Sequence, residues 1–92
     1  MTANEATRER LKQLLQEHDV SLNKLAKHSG IPSTTIKNLV YGHSNNIGIN
    51  NIKAMCDGFK ITLGEFFDTP LFDGIYSGWV SVGSKEDSVN TD

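Results

Sequence analysis

Apolar residues recur at helical spacing in five short stretches of the chain. Leu11, Leu14 and Leu15 stand at i, i+3 and i+4, with Arg8, Arg10, Lys12, Gln13 and Glu17 on the other faces. This predicts a helix from about Glu5 to His18, broken at His18-Asp19. Leu22, Leu25 and Ala26 predict a second helix of roughly two turns, capped by Ser21 and closed by Ser29-Gly30, where glycine can take a positive φ. A third follows almost at once, with Ile36, Leu39 and Val40 as its inward stripe. Pro32 or Ser33 caps it; the sequence leaves both open, and Ser33, Thr34 and Thr35 offer hydroxyls to the first-turn N–H groups. Tyr41-Gly42 closes it.

Residues 43–48 are a polar loop. The next helix is expected over about Ile49 to Asp57, with Ile49, Ile52, Met55 and Cys56 inward and Gly58 as its stop. Phe59 and Ile61 read as apolar plugs. Thr62 and Glu65 form a capping-box pattern that opens a fifth helix containing Leu63, Phe66 and Phe67. Thr69-Pro70 ends it. Residues 75–83 read as an extended segment and 84–92 as a frayed polar tail. The expected fold is all-α: a five-helix domain over 5–68 followed by a short C-terminal extension, 69–92.

Ninety-two residues suit one domain. No apolar run approaches the roughly 18 residues of a membrane span, and the polar first ten residues lack a signal-peptide apolar region, so a cytoplasmic location is expected. Cys56 is the one cysteine, which excludes an internal disulfide. The net charge of −2 hides an asymmetry: residues 1–60 carry eight Lys/Arg against five Asp/Glu, and residues 61–92 one against six. The cationic part is the first two-thirds.

The segment Ser21 to Gly42 carries the most specific pattern. It is two short helices joined by a glycine turn, the second with small polar residues along one face, the geometry with which a helix-turn-helix reads DNA. Ile31 and Ile36 anchor the second helix at a fixed depth. Ser33, Thr34, Lys37 and Asn38, at i, i+1, i+4 and i+5, then share one surface and suit base edges in a major groove. The stretch resembles the Xre/Cro family of lambda-repressor-like domains through Leu25-Ala26, Ser29-Gly30-Ile31, Ser33-Thr34-Thr35-Ile36 and Gly42. Downstream, Ile52, Met55, Cys56, Asp57-Gly58-Phe59 and Ile61 to Phe67 extend the likeness, which covers residues 5 to 68.

The resemblance implies a five-helix bundle that binds double-stranded operator DNA as a homodimer and regulates transcription, as a repressor. It implies base contacts from Ser33, Thr34, Lys37 and Asn38. Phosphate contacts are implied from Ser21, Asn23, Lys24, Thr35, His43, Ser44, Asn45 and Asn46. Two departures stand out. Leu22 occupies the position where many members carry glutamine, so that contact is missing or passes to Asn23. The third helix also holds no arginine, which leaves Lys37 as its cation.

Plainer readings stand beside these. Ser33, Thr34 and Thr35 can be a helix-start cluster, and Asn45-Asn46 an ordinary turn. His18, His28 and His43 are too scattered for a metal site, and Cys56 has neither zinc-ligand spacing nor a base partner. Neither metal nor cofactor is expected, and no catalytic set is recognisable, so an enzyme is not expected. Phe72, Ile75, Tyr76, Trp79, Val80 and Val82 are too apolar for a plain linker. They pack back over the domain, join a dimer contact by strand addition, or meet a partner. The rival function is a protein-interaction module, such as an antitoxin or anti-repressor partner, with weak DNA binding.

Overall fold

The computed structural model describes residues 1–42 and 46–77. Its first helix, α1 (Ala3–Glu17), starts before the expected Glu5. The reason is a reciprocal cap: Thr2 Oγ1 accepts the Glu5 N–H at 3.1 Å and Glu5 Oε1 accepts the Thr2 N–H at 2.8 Å. That pair satisfies two N–H groups the first turn would leave open. The Thr2 backbone N–H, bonded to the Glu5 carboxylate, holds its carboxyl below the usual value. The Thr-x-x-Glu signal lies in the sequence but carries no apolar residue, so periodicity passes over it.

Helix α2 (Leu22–Ser29) opens at Ser21, whose Oγ accepts the Lys24 N–H at 3.1 Å, and closes on Gly30 at φ 78°. Helix α3 (Ser33–Val40) settles the open cap: Pro32 holds that position and no side chain caps it. The hydroxyls of Ser33, Thr34 and Thr35 therefore do not close the first turn, contrary to the expectation. Proline's fixed φ aligns the chain for helix entry without offering an acceptor side chain.

Helix α4 (Ile49–Phe59) is longer than its apolar pattern predicts. Gly58 does not stop it; the left-handed residue is Lys60, at φ 63°. Gly58 is instead a packing residue. A Cβ on it would stand 3.0 Å from Leu25 Cδ1 and 3.4 Å from the Ser29 backbone nitrogen. Its bareness lets α4 lie against α2, the most extensive helix pairing among the described residues. Ile49, expected inward, is 58% exposed in the first turn of α4; Ile52, Met55, Cys56 and Phe59 carry the burial.

Helix α5 (Leu63–Phe67) has the predicted capping box: Thr62 Oγ1 accepts from Glu65 N–H at 3.0 Å and Glu65 Oε1 from Thr62 N–H at 2.8 Å. Phe66 is fully buried, but Phe67 is 38% exposed and packs edge-on to Phe66 and Phe72. Arg10 ties α1 to α5. Its Nε donates to Phe66 O at 2.6 Å and its Nη2 to Glu65 O at 2.8 Å, satisfying carbonyls at the helix end. Pro70 stops α5 and opens a single 3-10 turn, Pro70–Phe72, which packs on α1.

The chain then returns to its own start. Ala3 N–H donates to Tyr76 O at 2.8 Å and Tyr76 N–H to Met1 O at 3.3 Å, an isolated parallel bridge. Residues 75–77, the first part of the expected extended segment, thus lie along the N-terminus. Trp79, Val80, Val82 and the rest of 78–92 lie outside the described residues.

The core joins Leu11 and Leu14 of α1, Leu25 of α2, Ile31, and Ile36, Leu39 and Val40 of α3 to the inner faces of α4 and α5. Gly58→Val is expected to lower unfolding free energy by about 1–3 kcal/mol, because a branched side chain would push into the fully buried Leu25. Urea denaturation measures it, and an unchanged midpoint would contradict the close α2–α4 approach.

Candidate nucleic-acid interface

The candidate interface is built on the roll of α3. Ile36 and Val40 are fully buried and Leu39 nearly so. With three positions of an eight-residue helix turned inward, 3.6-residue periodicity leaves 33, 34, 37 and 38 on the far side. Ser33, Thr34, Lys37 and Asn38, the four expected base readers, are all exposed, and Thr35 beside them is half-buried. Tyr41, read in the sequence only as a helix stop, is 60% exposed and extends that face one more turn beyond Lys37.

The expected phosphate contacts divide into three groups. Ser21, Asn23 and Lys24 are exposed at the start of α2, with the Ser21 hydroxyl engaged as the cap. Leu22, between them, is half-buried against the core, whereas Asn23 faces solvent. Asn46 is exposed ahead of α4, and Gly48 caps α4 without a side-chain bond. His43, Ser44 and Asn45 lie outside the described residues.

The local charge is more favourable than the net value suggests. No acidic residue occurs between Asp19 and Asp57. Lys24, Lys27 and Lys37 are exposed and make no ion pair among the described residues. Two ion pairs elsewhere, Lys12–Glu9 and Lys53–Asp57, are exposed and contribute little. Exposed Glu65, Asp68 and Asp73 belong to α5 and the turn after it. Counting charge over residues 1–60 as a block blurs this acid-free run; reading it residue by residue reveals it. Exposed lysines with hydrogen-bonding side chains on one helix face suit a polyanion.

A family model of the Cro/C1-type HTH DNA-binding domain matches residues 10–71. The chain belongs to this family. No curated protein and no solved structure matches it. The Cro/C1-type assignment makes the chain a DNA-binding domain of a regulator fold, not of an enzyme family. The matched segment runs from Arg10, which holds α5, to Leu71 in the 3-10 turn. The Thr2–Glu5 cap and the first part of α1 precede it. Among the described residues, no His/Cys/Asp/Glu group is placed to hold a metal ion, and no helix is long and apolar enough to cross a membrane.

Cys56 is a packing residue within this domain. It is fully buried; burial among the helices, with Asp57 adjacent, pushes its thiol pKa up. A raised thiol is protonated and unreactive at neutral pH. Alkylation of native protein by iodoacetamide at pH 7.5 should therefore proceed only as fast as the chain opens, and denaturant should accelerate it sharply. Rapid labelling of the folded protein would contradict the packing role.

Proposed function

We propose that the chain is a transcriptional regulator, a repressor, that reads a double-stranded operator by laying α3 in the major groove. The observation that carries this reading is the exposed face of Ser33, Thr34, Lys37 and Asn38 on a helix anchored by Ile36. Lys37 can donate to the O6 and N7 of guanine, Asn38 can form a bidentate pair with adenine, and the hydroxyls of Ser33 and Thr34 can serve either base. Ser21, Asn23, Lys24, Thr35, His43, Ser44, Asn45 and Asn46 take phosphates and set the register. In this reading residues 5–68 are the DNA-binding unit and 69–92 an extension that pairs two copies. The regulator works in the cytoplasm, on the nucleoid, without a cofactor.

Selection from random duplexes should yield an inverted repeat with half-sites about one helical turn, ~34 Å, apart. With roughly four to six phosphates neutralised per protomer, affinity should fall steeply between low and physiological salt. Lys37→Ala should weaken specific binding by about 1–3 kcal/mol with helicity unchanged. Ile36→Ala should destabilise the fold by about 2–5 kcal/mol. Loss of helicity in Lys37→Ala would overturn the assignment of its face.

The rival, an interaction module of the antitoxin or anti-repressor kind, draws support from the exposed acids Glu65, Asp68 and Asp73 and from the acidic end of the chain. Absence of duplex binding at low salt would favour it. The pairing role of the extension has its own check: truncation after Ser77 should convert a dimer to a monomer in sedimentation velocity, and an unchanged state would remove that role.

A further inference from the structure

Tyr41 carries the outer face of α3 past the last residue of the polar pattern. Its N–H donates to Lys37 O at 2.9 Å, so the residue stays on the helical ladder although it is the C-cap. Val40 before it is fully buried, as is Ile36, and the pair fixes the roll of the helix at this end. Ser33, Lys37 and Tyr41 stand at i, i+4 and i+8 and form one ridge down the exposed side. Tyr41 is more than half exposed, and among the described residues its hydroxyl takes no hydrogen bond. To the small or flexible groups of Ser33, Thr34, Lys37 and Asn38 it adds a rigid, uncharged ring with a hydroxyl at its tip.

We propose that Tyr41 is a phosphate-binding residue of the DNA interface, its hydroxyl donating to a backbone phosphate at the wall of the major groove. The proposal rests on the reading of α3 as the helix that enters the groove. At about 1.5 Å of rise per residue, Tyr41 stands about 12 Å along the helix from Ser33, roughly the width of the major groove. A helix that reads base edges with its N-terminal residues therefore carries position 41 out to the sugar-phosphate backbone. The last carbonyls of a helix bear partial negative charge, so a phosphate is met at this end through a donor that reaches beyond them. The phenol is such a donor, on an arm that loses little conformational entropy when it is fixed. It is neutral at physiological pH, so its contact adds affinity on every duplex without adding salt dependence or base preference.

The test is fluorescence anisotropy of the full chain on mixed-sequence DNA duplexes over about 50–200 mM KCl, comparing wild type with Tyr41→Phe, Tyr41→Lys and Lys37→Ala. Tyr41→Phe keeps the ring and should weaken binding roughly tenfold per protomer, the worth of one hydrogen bond to a charged group, with Tm and the slope of log K against log salt unchanged. Tyr41→Lys brings an ammonium to the same phosphate and should steepen that slope by about 0.9 per protomer. Unchanged affinity in Tyr41→Phe, or an unchanged slope in Tyr41→Lys, beside weakened binding in Lys37→Ala, overturns the Tyr41 assignment alone. Weaker binding in Tyr41→Phe with a lowered Tm overturns it too, as a structural effect. A loss in Tyr41→Phe that varies with duplex sequence overturns the phosphate contact in favour of a base contact. Wild-type binding that Lys37→Ala leaves intact, or no wild-type binding at low salt, overturns the reading of α3 together with it.

Discussion

Burial of Ile36, with Leu39 and Val40 beside it, is the constraint from which the exposed surface follows. A helix of eight residues is too short to hold itself in water. Its shape and its roll both come from the apolar face it sinks into the core. Once that face is turned inward, the period of the helix dictates that Ser33, Thr34, Lys37 and Asn38 point away. Presentation of polar groups to a partner and stability of the domain therefore have one physical origin. A cavity under Ile36 would blur the position of every exposed group on α3.

That core is small, and it is closed by close helix approach more than by volume. Gly58 lets α4 settle on Leu25 and Ser29 of α2, so that the helix preceding α3 is held from behind. Arg10 does a related job for α5, donating to the carbonyls of Glu65 and Phe66 at its end. The edge-packed Phe66, Phe67 and Phe72 then carry the chain back onto α1. In a chain of this size each such contact is a sizeable part of a margin of a few kcal/mol.

Charge is organised along the same lines. The acid-free run from Val20 to Cys56 spans α2, α3 and most of α4, so no acid within that stretch offsets its exposed lysines. The acids lie to either side of it, in and just after α1 and from Asp57 onward. A net charge of −2 and a DNA-binding fold are compatible because the field at a surface depends on the charges within about a Debye length, not on the total.

The five helices, the Ser21 and Thr62 caps, the turn at Gly30 and the inward stripe of α3 were all legible in the residues, because each depends on neighbours within a few positions. The same locality explains the misreadings. Gly58 looked like a stop because a glycine's local preference is to end a helix, yet what it meets is Leu25, far away in the chain. Ile49 looked buried by its period, but among the described residues it stands exposed in the first turn of α4. The return of Tyr76 to Met1 and Ala3, and the meeting of Asn4 with Ile47, pair residues that no spacing rule connects. Local pattern decided which helices form and which face of α3 is polar, since propensity and period act over a turn or two; the approach of α4 to α2 and the company kept by the two ends of α1 arose only when distant segments packed together.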